Sequence, residues 1–116
     1  MSYLTSFRLE ARHVDPDAAA ALRQALTDVN APFSFIDYDP NLQELYAEPK
    51  YDWGWYSHED DICTVSAAVP DALIRLHGEG ENRDDVWDKY FTGGKLVETC
   101  YAELVPPLPE KVRWDA

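Results

Sequence analysis

Residues 72–105 read ALIRLHGEGENRDDVWDKYFTGGKLVETCYAELV, and the alternation within them decides the fold class. Ala72, Ile74 and Leu76 alternate with Leu73, Arg75, His77 and Glu79, the period-two pattern of a strand with one buried and one wet face. Gly78 to Asp85 predicts a charged loop or bulge, and Val86 to Phe91 a second strand. Thr92-Gly93-Gly94-Lys95 is hairpin chemistry, because a tight two-residue turn needs positive φ at its centre and glycine takes that without strain. Leu96 to Val105 predicts a last long strand. Pro106, Pro107 and Pro109 end it and leave a proline-rich tail over 106–116.

Upstream, Ser57-His58-Glu59-Asp60 resembles a capping box with aspartate in the glutamate position, so a helix is predicted to about Ala68, stopped by Pro70. Tyr51 to Tyr56 predicts a short strand with Tyr51, Trp53 and Trp55 on one face. Pro32, Pro40 and Pro49 break any long element, so residues 31–50 are expected to be irregular, with a turn at Asp37-Tyr38-Asp39-Pro40-Asn41. At the N-terminus Tyr3, Thr5, Phe7, Leu9 and Ala11 alternate with polar residues and predict a strand. Asp15 can cap a helix, Pro16 suits its first position, and Asp17 complements the positive end of its dipole. That helix is predicted to run to about Asn30 with Ala18, Leu22, Ala25, Leu26 and Val29 inward. The order predicts one α+β domain over 1–116: a ferredoxin-like sandwich with an antiparallel-rich sheet of 4–5 strands and two helices on one face.

The charge is as informative as the pattern. Of the 22 acidic residues, fourteen lie between Asp37 and Asp88, against only Lys50, Arg75 and Arg83, so this segment carries about −11 of the formal −12. Hydrophobic residues make up 46% and aromatics 13%, too much for a disordered acidic tail, so the charge decorates a core. An acidic surface repels nucleic acid and membranes and attracts basic protein surfaces. Cys63 and Cys100 sit beside apolar residues and read as two buried free thiols. The first thirteen residues do not resemble a secretory leader and no apolar run is long enough to span a membrane, so a cytoplasmic location is expected.

Between Trp53 and Leu96 the chain carries Trp55-Tyr56-Ser57-His58-Glu59-Asp60-Asp61, then Val69-Pro70-Asp71, Gly78-Glu79-Gly80-Glu81, Asp85-Val86-Trp87-Asp88-Lys89-Tyr90-Phe91 and Gly94-Lys95. This segment resembles a family of small phage, prophage and plasmid proteins with a ferredoxin-like domain. The resemblance implies a mobile-element setting and transfers no catalytic residue.

These motifs admit several chemistries. The carboxylates Glu79, Glu81, Asp84, Asp85 and Asp88 could hold a hard cation, yet their spacing fits no EF-hand loop and no His or Cys ligand pair accompanies them. Gly78 and Gly80 are flanked by glutamates, the wrong field for a phosphate cradle, and suit bulge or turn geometry. His58, Glu59, Asp60 and Asp61 could be an acid–base set, but their place in a helix's first turn accounts for them as capping and dipole partners. His77 suits an ion pair across strands. Trp53, Trp55, Trp87 and Trp114 lack the positive groove that a base-stacking platform needs, so core packing and protein-interface contacts divide them.

The sequence therefore predicts a non-enzymatic acidic inhibitor from a phage or mobile element, with no cofactor and no metal. It is expected to dock on the basic, nucleic-acid-binding surface of a host defence complex such as a CRISPR effector, contacting protein and not nucleic acid or membrane. The expected contact residues are Asp60, Asp61, Glu79, Glu81, Asp84, Asp85 and Asp88, with Trp87 or Tyr56 as aromatic anchor. An immunity or antitoxin protein would present the same surface; a small-ligand-binding or enzymatic domain would instead need a pocket. A homodimer is compatible with tryptophans beside a hairpin edge.

Overall fold

Strand β1, Thr5–Arg12, buries every second residue, with Phe7, Leu9 and Ala11 almost fully enclosed, and it sits inside a six-stranded sheet. The computed structural model describes residues 3–82 and 84–102. After β1 come α1 (Pro16–Asp28), β2 (Phe33–Asp39), β3 (Glu44–Pro49), α2 (His58–Ala68), β4 (Leu73–Gly80), β5 (Val86–Thr92) and β6 (Lys95–Tyr101). The sheet order is β2-β3-β1-β4-β5-β6, and every neighbouring pair is antiparallel. The fold is thus α+β, with more strands than the 4–5 expected.

Helices α1 and α2 touch each other over one face of the sheet. Leu22 and Leu26 of α1 and Ile62 and Val65 of α2 share one apolar core with Leu45, Ile74, Leu76, Trp87 and Phe91. The other sheet face carries Arg8, Glu10, Arg75, His77, Asp88 and Tyr90, all exposed or half-buried. None of the described helices is long and apolar enough to cross a membrane.

Helix α1 begins as its sequence dictates. The Asp15 carboxylate accepts a hydrogen bond from the Ala18 amide at 2.7 Å, satisfying a donor that has no intrahelical partner, and Pro16 takes the first turn. Asp15→Ala is expected to cost about 1 kcal/mol, read as a drop of several degrees in the thermal midpoint with the far-ultraviolet spectrum unchanged. An unchanged midpoint would mean that the cap contributes nothing.

Residues 31–50 form a strand hairpin and not the irregular connection expected of them. The three prolines all stand at strand limits: Pro32 before β2, Pro40 in the turn, Pro49 at the end of β3. The Asp39 carboxylate accepts from the Asn41 and Leu42 amides, and Gln43 takes a φ of 55°, which together close the turn. Ile36 pairs with Ala47 and Tyr38 with Leu45, facing the core, while a bulge between Phe33 and Phe35 breaks the alternation that would have announced the strand.

The strand expected over Tyr51–Tyr56 reduces to one bridge between Trp53 and Thr5. Trp55 turns inward against Phe7 and Phe33 while Tyr51 and Trp53 stay exposed, so the three rings do not share a face. The predicted loop over 78–85 is shorter than expected, because β4 continues to Gly80. Gly78 is required by a neighbour and not by a turn: a Cβ there would run into the indole of Trp87. Gly93 and Gly94 have φ of 59° and 84°, as the hairpin reading required. Strand β6 ends at Tyr101; Leu104, Val105 and the 106–116 tail with Trp114 lie outside the described residues. Cys63 is half-buried and Cys100 is exposed, both free, so the expectation of two buried thiols fails at Cys100, which stands opposite Asp88 on the sheet face that carries no helix.

Candidate functional site

The turn between β4 and β5 is tied to the start of the chain. Gly80 N–H donates to the Asp85 carbonyl at 2.7 Å and Asp85 N–H to the Asn82 carbonyl at 3.0 Å, which folds the turn on itself. The Tyr3 hydroxyl donates to the Asp85 carboxylate at 2.7 Å and accepts from the Asn82 amide at 3.0 Å. Glu81 accepts from the Leu4 amide at 2.9 Å. Tyr56 completes the arrangement: its hydroxyl accepts from Tyr3 N–H at 2.8 Å and lies 3.3 Å from the Tyr3 carbonyl as donor. A side chain at position 80 would strike both the Tyr3 hydroxyl and the Asp85 carboxylate, so this convergence needs Gly80.

Four of the residues expected to contact a partner therefore gather at one end of the sheet: Glu81, Asp84 and Asp85 on the turn, and Tyr56, whose ring is 70% exposed. The others are dispersed. Asp88 and Glu79 lie on the open sheet face, where Asp88 holds His77 Nδ1 at 2.8 Å and Glu79 stands 3.6 Å from His77 Nε2. The cross-strand contact predicted for His77 is thus present between β4 and β5 as a hydrogen bond to Asp88. Asp60 is exposed on the first turn of α2. Asp61 is occupied internally, accepting from Trp55 Nε1 at 2.7 Å and Ser57 Oγ at 2.8 Å. That contact replaces the predicted capping box, and Ser57 makes no side-chain cap bond. Trp87 is 6% exposed, so it is a core residue and not the expected anchor. Its neighbour Asp88 is solvated because successive strand residues face opposite ways.

One cluster escaped the sequence reading. Lys89 is only 8% exposed. Its ammonium lies 2.6 Å from His58 Nε2, 3.3 Å from Glu59 and 4.3 Å from the centre of the Trp87 ring. The His58 ring stacks on Trp87 at 5.0 Å and 14°. His58 Nδ1 lies 2.8 Å from the Trp55 carbonyl, so the network places the proton on Nδ1 and the lone pair toward Lys89. Burial pushes the His58 imidazole below its ordinary range; the Trp55 carbonyl opposes this and the Lys89 charge adds to it. The signal was present in the alternation Trp87, Lys89, Phe91, which puts the lysine on the core face.

The open face carries a cross-strand row of Arg8, His77, Asp88 and Cys100. Desolvation, a hydrogen bond with Glu98 and the charges of Glu98 and Asp88 raise the Cys100 thiol above its ordinary range, the opposite of what activates a nucleophile. Open depressions of about 100 Å³ beside Glu10, Arg75 and Tyr90, about 270 Å³ beside Asp37, Leu42 and Tyr46, and about 280 Å³ beside His13, Asp15 and Pro70 lie at or below the lower end of usual ligand pockets. Among the described residues no three His, Cys, Asp or Glu side chains gather so that they could hold a metal ion. Comparisons with protein families, characterised proteins and solved structures find no match to this chain.

Proposed function

We propose that the chain is a non-enzymatic acidic inhibitor that docks on a basic, nucleic-acid-binding protein surface. The observation that carries this reading is the end of the sheet where Glu81, Asp84 and Asp85 stand beside the exposed Tyr56 ring. Carboxylates there can take lysine and arginine sites that otherwise hold phosphates, and charge complementarity speeds the encounter. The resemblance over residues 53–96 supplies the setting: a phage or plasmid protein acting in the host cytoplasm, with a CRISPR effector as the concrete target class. For the fold, the series β1-α1-β2-β3-α2-β4 with strand order β2-β3-β1-β4 supports a ferredoxin-like unit, to which β5 and β6 add two further strands.

The test is affinity capture from a host lysate, run at low salt and again at about 0.5 M, where screening shortens to a few ångströms. Capture of a nucleic-acid-binding complex that salt releases is the expected result. Glu81→Gln with Asp84→Asn is expected to weaken the captured complex about tenfold, mostly through slower association. Glutamine keeps the acceptor for the Leu4 amide, so the turn should survive. Capture that ignores salt and both substitutions would sink the reading.

A further inference from the structure

At this end of the sheet the Tyr56 side chain is exposed and yet held. Tyr56 has 70% of its surface in solvent, but its hydroxyl is fixed by both polar groups of the Tyr3 backbone. Trp53 is 42% exposed, and its backbone exchanges two 2.9 Å hydrogen bonds with Thr5. A rigid exposed aromatic loses little entropy on binding, which is the physics of an interface anchor. Thr5 pairs with Trp53 on one side and Gly80 on the other, so Trp53 lies two strand spacings, roughly 10 Å, from the acidic turn.

Among the described residues, the cations over aromatic rings are Lys50 over Tyr51 and Lys89 over Trp87; Trp53 and Tyr56 have none. The exposed Tyr56 ring close to the acidic turn, with the Trp53 ring roughly 10 Å away across β1, matches planar cations, because guanidinium stacks on an aromatic face while its edge bonds a carboxylate. An ammonium meets the charge but not the plane.

We propose that Trp53 and Tyr56 seat guanidinium groups of an arginine-bearing protein segment, with Glu81, Asp84 and Asp85 supplying the countercharge. This rests on the docking function above and sharpens it: the partner surface presents arginine in preference to lysine.

The test is binding of the full chain to an octa-arginine and an octa-lysine peptide, followed by calorimetry at about 20 mM salt, where charge attraction is little screened. The arginine peptide is expected to bind about fivefold more tightly. Trp53→Leu with Tyr56→Leu should erase that preference and leave the weaker charge-driven binding, with thermal unfolding checking the fold. If the double variant does not fold, Tyr56→Leu alone gives the same comparison. Equal affinity of the wild-type chain for both peptides, or a preference that persists in a folded variant, overturns the arginine assignment and leaves the docking function standing. Failure of both peptides to bind overturns both.

Discussion

Trp87→Ala is expected to lose about 3–5 kcal/mol of folding stability, the largest single effect on this chain. The indole touches three elements at once. It lies on Gly78 of the neighbouring strand, stacks on His58 of α2 and meets Phe7 of β1 edge-on at 6.1 Å. Truncation leaves a cavity that the backbone cannot fill from the Gly78 side, because that residue has no side chain to move. It also removes the ring under the Lys89 ammonium and so leaves a buried cation with a poorer environment. Urea unfolding followed by far-ultraviolet dichroism would show the midpoint fall with the slope unchanged. A loss under about 1 kcal/mol would mean that the ring is not packed between the sheet and α2. Binding at the Tyr56 end would persist in whatever fraction remains folded, since Trp87 lies inside the core and not on that surface.

The period-two segments were legible because nothing local interrupts them. Phe7, Leu9 and Ala11, and Ile74 and Leu76, fall inward as the alternation requires, and the paired glycines set the last hairpin. The β2–β3 hairpin was hidden by three prolines that all stand at strand limits and by a bulge that shifts the pattern one residue after Phe33. Trp87 was misplaced for a different reason. A tryptophan among carboxylates reads as exposed by its neighbours, whereas alternation alone puts Trp87, Lys89 and Phe91 on one face. Sequence proximity grouped the carboxylates of 79–88, and strand geometry separates them, sending Asp88 to the open face and Glu81 and Asp85 to the turn. The tie of that turn to Tyr3 spans 82 positions and that of Tyr3 to Tyr56 spans 53, and only the sheet order brings those residues together.

The buried pair His58 and Lys89 makes stability depend on mild acid. Facing the imidazole are the Lys89 ammonium from β5, Glu59 and Asp61 from α2 itself, and the rings of Phe7, Trp55 and Trp87. Burial holds His58 below its ordinary value, so the unfolded chain takes up this proton first as pH falls. The folded state then binds fewer protons than the unfolded one, and stability must fall with pH. The contribution is complete above about pH 6.5 and is lost as pH drops below it toward the folded value. Carboxylates titrate mostly below about pH 4.5, outside this window. Between about pH 7.5 and 5.5 the wild-type chain should therefore lose more stability than His58→Gln. Glutamine retains an oxygen acceptor for Lys89, and His13 and His77 remain in both proteins, so the difference isolates His58. Lys89→Met should shrink the same difference, because removing the ammonium makes the charged imidazole less costly. Chemical denaturation at the two pH values decides it: equal losses in the wild-type chain and His58→Gln would mean that His58 is as easily charged inside the fold as in water.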